Sequence, residues 1–413
     1  MAFEGEAARQ TSDGVLRDEQ ALSIFYLSLA LIVVGVGFLK PNISTVVGKL
    51  YLEGDARRDA GFTIFYMGIN IGAFTATLLC GWLGEVYGWS WGFGAAGVGM
   101  LLGLMLFQWG QKYLLGHGEP AEPEKLSQSL GVPGLTIERS IYLGSLLMVA
   151  VVWQLVQLTD TVGTLLDVLS AGVLAGLGWF LFFRCNKVER ERMFVLIVLT
   201  LSTVIFWALF EQGAGSMTLY ADRVTDKTLL GISLTAAQFG AANSFFIFSL
   251  APLVAVLWTR LARRGWEPST PVKFSLGIAQ AGLGFGALVY GAQFPNQADL
   301  VSAWWLILAY LLHTTGELCL SPVGLSAVTK LAVPSVVGVM MGTWFLASAY
   351  SSYVAAQIAT IAARPATEST LDRAGALAGY TELFGQLLTI GLAGGAVLIV
   401  FSPVLKRLMH GVR

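Results

Sequence analysis

Charged residues are scarce in this chain, making up 12% of its 413 residues, whereas 55% are hydrophobic. The formal net charge is -1 and the basic residues are dispersed, so no basic surface for nucleic acid is indicated. The three cysteines, Cys80, Cys185 and Cys319, lack the C-x-x-C spacing of zinc or redox sites. The sequence also lacks a glycine-rich phosphate loop, an HExxH sequence and a nucleophile elbow. These absences argue against a nucleic-acid-binding protein, an ATP-driven pump and an enzyme.

Long apolar segments are abundant. A membrane-spanning helix needs about 20 predominantly apolar residues, and the sequence holds eleven windows of that kind. We therefore predict an all-α polytopic membrane protein with eleven transmembrane helices. The windows are Leu22 to Leu50, Gly61 to Trp82, Trp91 to Tyr113, Ile141 to Leu158, Val162 to Phe183, Phe194 to Phe210, Leu234 to Trp258, Val272 to Gln293, Leu300 to Lys330, Val336 to Ala363 and Leu383 to Leu405.

The loops between these windows predict the orientation. When the windows are threaded alternately, most of the 25 lysines and arginines fall on one side, which the positive-inside rule assigns to the cytoplasm. The C-terminus is then cytoplasmic and the N-terminus lies outside. Residues Met1 to Gln20 contain no apolar stretch that could act as a signal peptide. We therefore expect a start at an internal methionine and a chain that is truncated at its N-terminus.

An internal repeat supports the same expectation. The segment LKPNISTVVGKL from Leu39 resembles LSPVGLSAVTKL from Leu320, and a repeated proline-containing helix is typical of transporters built from two related halves. The second copy lies in the fourth of the last six windows and the first copy in the first window, so three helices are expected to be missing. Pro41 and Pro322 each remove a helical N–H and are predicted helix kinks, although each could be a tolerated structural kink.

Lys40, Glu211 and Glu317 are ionisable residues in strongly apolar sequence, within GVGFLKPNIS, VIFWALFEQG and LLHTTGELCL. A charge at membrane depth costs about 2.5–3.5 kcal/mol on insertion scales, so it normally faces a polar cavity or a partner. Lys40 suits a carboxylate and Glu317 an ammonium, and the repeat register places Lys40 one helical turn from the counterpart of Glu317. The pattern indicates a transport pathway in which these two charges face each other. A lysine that reaches the membrane surface, or a structural ion pair, would give the same pattern.

A metal site is a weaker interpretation of the same region. His313 and Glu317 are spaced at i and i+4 on a predicted helix, as two metal ligands can be. The sequence offers no third ligand, so we predict neither a metal nor a cofactor.

Several longer motifs resemble one family. The motifs are GFLKPNIS, RRDAGFTIFYMGINIGAF, FWALFEQGAGSMTLYADR, EPSTPVKF, GELCLSPVGLSAVTKLAVP and GTWFLASAYSSY. Together, from Leu22 to the C-terminus, they resemble the bacterial proton-dependent oligopeptide transporters. The resemblance implies a major facilitator fold, in which two six-helix bundles enclose a central site and two further helices are inserted between them. It assigns residues 1–113 to the last three helices of the N-terminal bundle, 114–140 to a cytoplasmic linker, 141–192 to the inserted hairpin and 193–413 to the complete C-terminal bundle.

The resemblance also implies charged site residues. Lys40 would provide the positive side of the site, and Glu317 would bind the peptide amino terminus and pair with Lys40 when the site is empty. Glu211 would be a protonation site that pairs with an arginine of the family's first helix. The Glu-x-x-Glu-Arg motif of that helix is absent from this chain, so we expect Glu211 to be protonated. Proton coupling is therefore assigned to Glu211, Lys40 and Glu317.

The uncharged site residues follow from the same motifs. Asn70 and Asn243 match asparagines that bind the peptide backbone or amino terminus, although this chain has Ser244 where the family usually has proline. Trp207, Trp344 and Ser348 match positions that line side-chain pockets. Interhelical hydrogen bonding for the asparagines and ordinary packing for the tryptophans remain open alternatives.

These observations predict proton-coupled symport of di- and tripeptides across the inner membrane by alternating access, driven by the proton gradient. We expect a monomer in the lipid bilayer, with peptides and protons as partners and no nucleic acid. Alternatives are a transporter of the same fold for nitrate or a peptide-like compound, and a non-transporting membrane scaffold. We expect the truncated chain to be inactive alone.

Overall fold

The structure is a computed structural model that describes residues 8–11, 14–51, 57–120, 122–130, 135–363 and 373–412. Most of them are helical. The helices are α1 (Glu19–Lys49), α2 (Arg57–Tyr87), α3 (Trp89–Gly110), α4 (Pro123–Leu126), α5 (Ile137–Gln157), α6 (Thr159–Phe183), α7 (Lys187–Phe210), α8 (Ser216–Val224), α9 (Ala241–Arg263), α10 (Thr270–Gly291), α11 (Ala303–Leu331), α12 (Val337–Ala363) and α13 (Arg373–Leu408).

Short strands lie in the connections. They are β1 (Ala8–Thr11), β2 (Gly14–Arg17), β3 (Thr225–Asp226), β4 (Thr228–Leu229), β5 (Ile232–Ser233) and β6 (Val301–Ser302). The pairs β1 with β2 and β4 with β5 are antiparallel, whereas β3 and β6 are parallel. These strands were not predicted, because two- to four-residue strands carry no periodicity that a sequence pattern can reveal.

Within the described part of the chain, ten helical segments are long and apolar enough to cross a membrane. The predicted membrane class is therefore confirmed. The eleventh window, Val336 to Ala363, is helical as the 27-residue α12, but it is not among these ten. The count of eleven transmembrane helices stays a prediction, and so does the division into bundles, linker and inserted hairpin.

The helices form two compact units, of which the first comprises Met1–Gly72 and Trp82–Leu165. Helix α1 begins after Asp18, whose carboxylate accepts hydrogen bonds from the backbone N–H groups of Gln20 and Ala21. Such a side-chain cap satisfies donors that the first helical turn leaves without partners. Within this unit α1 packs against α5, where Trp153 Nε1 donates to the Ser23 carbonyl oxygen at 3.2 Å.

The second unit comprises Ala73–Gly81 and Leu166–Arg413. Its core lies where α10 packs against α13 and α11, and glycines allow the close approach. A Cβ atom on Gly391 would lie 2.5 Å from Gly282 Cα, and one on Gly277 would lie 2.9 Å from the Gly316 carbonyl oxygen. Ser275 Oγ donates to a carbonyl oxygen of α13 at 2.7 Å. Small residues and hydroxyl bonds of this kind hold helices together where lipid removes the hydrophobic driving force.

The middle of α2 belongs to this second unit. Phe74 lies edge-on to Phe248 at a centroid distance of 5.9 Å. Gln238 Nε2, just before α9, donates to the Leu78 carbonyl oxygen at 3.1 Å. These contacts fix the beginning of α9, the helix that carries Asn243.

Candidate functional site

The clearest polar cluster in the second unit joins α9 to α11. Asn243 lies in the first turn of α9, and its Nδ2 atom donates to Glu317 Oε2 at 3.2 Å and to Thr314 Oγ1 at 3.0 Å. Thr314 is fully buried, and Asn243 and Glu317 are half-buried. The structure therefore brings together two of the predicted substrate-binding residues and adds a third residue, Thr314, that the sequence analysis did not single out.

Hydrogen-bond donors and acceptors in this cluster can be assigned. Thr314 Oγ1 donates its proton to the Tyr310 carbonyl oxygen at 2.7 Å, so it acts as an acceptor toward Asn243. An ionised Glu317 can only accept. The NH₂ group of Asn243 must therefore face both residues. It orients the carboxylate and leaves the negative charge of that carboxylate to be balanced by a cationic group.

Glu211 follows the end of α7, where its backbone N–H caps the helix. Its side chain is exposed. The next residue, Gln212, is fully buried, and its Nε2 atom donates to the carbonyl oxygens of Ala208 at 3.2 Å and Ala355 at 3.1 Å. Ser216 Oγ donates to Gln212 Oε1 at 2.8 Å. Gln212 thus ties α7, α8 and α12 together and fixes the turn that carries Glu211.

His313 packs between α10 and α11. It is 1% exposed, its Nε2 atom is 2.9 Å from the Ala281 carbonyl oxygen, and its ring lies edge-on to Phe285 at 4.9 Å. Since a carbonyl oxygen only accepts, Nε2 carries the proton. Among the residues that the structure describes, no group of three or more His, Cys, Asp or Glu side chains could hold a metal ion.

The aromatic site residues occupy different surroundings. Trp207 is half-buried, whereas Trp344 is 5% exposed and packs on Phe274 and over Gly324, where a Cβ atom would lie 2.0 Å from the indole. Trp344 thus contacts residues of α10 and α11 in this structure. Ser348 is half-buried one turn further along α12. Their roles as pocket residues stay predictions.

The remaining predicted residues are divided between the units. Lys40 and Pro41 lie on α1, but their side chains fall outside the described residues, so the predicted pairing of Lys40 with Glu317 stays a prediction. Asn70 on α2 is 7% exposed and its Nδ2 atom donates to the Tyr66 carbonyl oxygen at 3.0 Å. Pro322 lies inside α11, and the helix continues beyond this proline to Leu331.

A cavity of about 460 Å³ opens between α6, α7 and α12 in the second unit. Asp167 and Tyr350 lie on its wall, and the Tyr350 hydroxyl donates to Asp167 Oδ1 at 2.9 Å. Asp167 was not among the predicted site residues, although it is an acidic residue within the apolar window Val162 to Phe183. An acidic residue in an apolar segment was also the feature that indicated Glu317.

Comparison with known proteins identifies relatives over most of the chain. The family model described as the POT family matches residues 7–377. The uncharacterized transporter YclF of Bacillus subtilis is 40% identical over 94% of this chain and 75% of its own length. The peptide transporter YePEPT of Yersinia enterocolitica is 35% identical over 94% of this chain and 76% of its own length.

A solved structure of a POT peptide transporter is also similar to this chain. The crystal structure of a mutant POT peptide transporter in complex with alafosfalin matches with a TM-score of 0.76 and 36% sequence identity. The match covers 94% of this chain and 76% of the other.

Proposed function

The chain belongs to the POT family, and on that basis we propose that it carries di- and tripeptides together with protons across the bacterial inner membrane by alternating access. Relatives and structural neighbours described as peptide transporters support the peptide part of this proposal. The proposed cargo has an ammonium at one end and a carboxylate at the other, so a site that holds the two ends can accept many side chains between them.

The observation that carries the proposal is the bond between Asn243 and Glu317. The Asn243 amide donates hydrogen bonds to the Glu317 carboxylate and to the Thr314 hydroxyl oxygen. It therefore fixes the direction of the carboxylate without neutralising its charge. A peptide ammonium then supplies the opposite charge and further N–H donors. Hydrogen bonds between ionised partners are shorter and stronger than neutral ones, so this end of the peptide is held with specificity.

Proton coupling is assigned to Glu211, Glu317 and Lys40. Glu211 ends α7 next to the fixed turn of Gln212, so movement of α7 or α12 changes the surroundings of its carboxylate. Burial raises the pKa of a carboxyl group and a neighbouring cation lowers it, so a carboxyl group that alternates between these surroundings can bind and release a proton. Asn70, Trp207, Trp344 and Ser348 complete the proposed substrate site.

The membrane arrangement follows from the loops. We place the C-terminus in the cytoplasm because of the positive-inside bias, count α12 as the eleventh span, and expect the transporter to act as a monomer. It has no enzymatic step in this proposal, and its energy source is the proton gradient.

Uptake of labelled dialanine into proteoliposomes that contain the full-length product of the gene tests the proposal. An acidic exterior should drive accumulation above the external concentration, and Glu317→Ala should abolish it. Glu382→Gln is the matched control, because Glu382 is an exposed carboxylate of the same unit. Uptake of dialanine that is indifferent to the pH gradient, or unchanged in Glu317→Ala, would contradict the proposed function.

A further inference from the structure

Asp167 is an acidic residue inside a membrane-spanning helix, and the proposed transport function does not use it. It lies eight residues after Thr159 on α6, which corresponds to about 12 Å along the helix axis. Its side chain is exposed on the protein surface rather than buried in the core. An ionisable group at this depth is expensive unless it is paired or faces a cavity, and it marks a functional site by default.

The cavity beside Asp167 has the size of a small-molecule site. Its volume of about 460 Å³ lies within the range of roughly 300–1,000 Å³ that is usual for ligand pockets. Its walls are mainly aliphatic, with Leu174 of α6, Ile197 and Val204 of α7 and Leu346 of α12 among the lining residues. Such walls fit an apolar body and provide no polar partner for it.

The wall carries four hydroxyls, and three of them, those of Tyr350, Thr200 and Thr343, have already donated their protons, whereas the fourth, that of Ser170, can accept as well as donate. Tyr350 donates to Asp167 Oδ1 at 2.9 Å, Thr200 donates to the Leu196 carbonyl oxygen at 2.8 Å, and Thr343 donates to the Val339 carbonyl oxygen at 2.8 Å. The oxygen atoms of these hydroxyls and the carboxylate of Asp167 therefore present acceptors to the cavity. The complementary ligand is one that donates hydrogen bonds and carries a positive charge.

We propose that the cavity between α6, α7 and α12 binds an amphiphilic amine, whose ammonium is held by Asp167 and whose apolar body lies along Leu174, Ile197 and Leu346. An ammonium has three N–H donors and no acceptor, which matches the acceptors on the wall. The same chemistry is found in an aminophospholipid of the bilayer and in a free alkylamine. The site is separate from the Asn243 and Glu317 cluster, and its assignment does not depend on the identity of the transported solute.

The test uses the full-length protein in phosphatidylcholine vesicles and a dodecylamine probe with a photoactivatable diazirine in its chain. The matched probe is the corresponding dodecanol, which has the same apolar body and no charge. The amine should label peptides of α6, α7 and α12, and unlabelled dodecylamine should suppress this labelling. The amine should reach half-saturation at about tenfold lower concentration than the alcohol, the factor expected for a hydrogen bond to a charged group.

Variants separate charge from structure. Asp167→Asn keeps the shape of the side chain and should raise the half-saturating amine concentration about tenfold. Tyr350→Phe keeps the carboxylate and should preserve the preference for the amine. Asp160→Asn, on the exposed first turn of the same helix, is the control and should change nothing.

Adding phosphatidylethanolamine to the vesicles distinguishes an aminophospholipid from a free alkylamine as the ligand. If this lipid competes with the probe, the ligand is a component of the bilayer; if it does not compete, the ligand is a free amine. Equal saturation by the amine and the alcohol in the unaltered protein would overturn the proposal, and this comparison remains decisive should Asp167→Asn fail to fold. Labelling by the amine that Asp167→Asn leaves unchanged in a folded protein would also overturn it.

Discussion

Asn243 of α9 donates a hydrogen bond to Glu317 of α11 over 3.2 Å, and the same amide nitrogen reaches Thr314 at 3.0 Å. The amide of one helix thereby sets the direction of a carboxylate on another. Since the two residues are 74 positions apart in sequence, neither could have been assigned to the other from spacing alone.

Asn243→Ala should raise the KM for a dipeptide about tenfold, because a carboxylate that loses a hydrogen-bond donor is no longer held toward the substrate. Initial rates of dialanine uptake measure the effect. Thr314→Val is the matched comparison, since it removes the second acceptor of the amide while the bond to Glu317 remains. It should have the smaller effect, and an equal or larger effect would argue that Thr314 and not Glu317 is the important partner.

Glu211→Gln should abolish accumulation of peptide against its concentration gradient and preserve exchange of peptide across the membrane. A glutamine has the shape of glutamate but cannot bind and release a proton. In the unaltered protein a more acidic exterior should increase accumulation, whereas in the variant external pH should have no such effect. Proteoliposomes preloaded with unlabelled dialanine measure exchange separately. Accumulation by Glu211→Gln that still follows the pH gradient would exclude Glu211 from coupling.

Gln212→Leu should lower the free energy of unfolding by about 1–3 kcal/mol, because it leaves buried carbonyl oxygens of α7 and α12 and the Ser216 hydroxyl without their partner. Thermal unfolding in detergent measures the change. The exposed Gln293 provides the control, and Gln293→Leu should have little effect. Similar melting temperatures for both variants would show that the Gln212 network contributes little.

Gly391→Ala should destabilise the second unit by about 1–3 kcal/mol. The added Cβ would lie 2.5 Å from the Cα of Gly282, a backbone atom that cannot rotate away, so α10 and α13 would have to separate. Gly385→Ala is a control on the same helix, where nothing lies within 4 Å of the added carbon. Melting temperatures of the purified variants compare the two, and a stable Gly391→Ala would refute the close packing of these helices.

The sequence predicted the positions of the long helices well and their ends less well. The window Val272 to Gln293 nearly coincides with α10, whereas the window Phe194 to Phe210 misses the first turns of α7, which begins at Lys187. The reason is a capping box, in which Asn186 and Glu189 exchange hydrogen bonds and start the helix in polar residues. A hydropathy window detects the apolar part of a helix and misses polar turns, such as the capped first turns of α7, that precede it.

The candidate site shows the same division. Glu317 and Asn243 could be predicted because the sequence alone shows an acidic residue in an apolar segment and an asparagine within a family motif. Gln212, Thr314 and the cavity beside Asp167 could not, because their importance comes from partners on other helices. The role of Trp344 as a pocket residue stays a prediction, and its contact with Gly324 could not be predicted because only the folded chain forms it.

Recognition of the peptide ammonium by Glu317 is the central claim, and the most direct measurement compares dialanine with N-acetyl-dialanine as competitors for uptake of a labelled dipeptide. Acetylation removes the positive charge and leaves the rest of the peptide unchanged. In the unaltered protein the half-inhibitory concentration of dialanine should be about tenfold lower than that of N-acetyl-dialanine. In Glu317→Gln the two compounds should inhibit uptake of the labelled dipeptide equally. Equal competition by the two compounds in the unaltered protein, or an advantage of dialanine that survives in Glu317→Gln, would contradict the account.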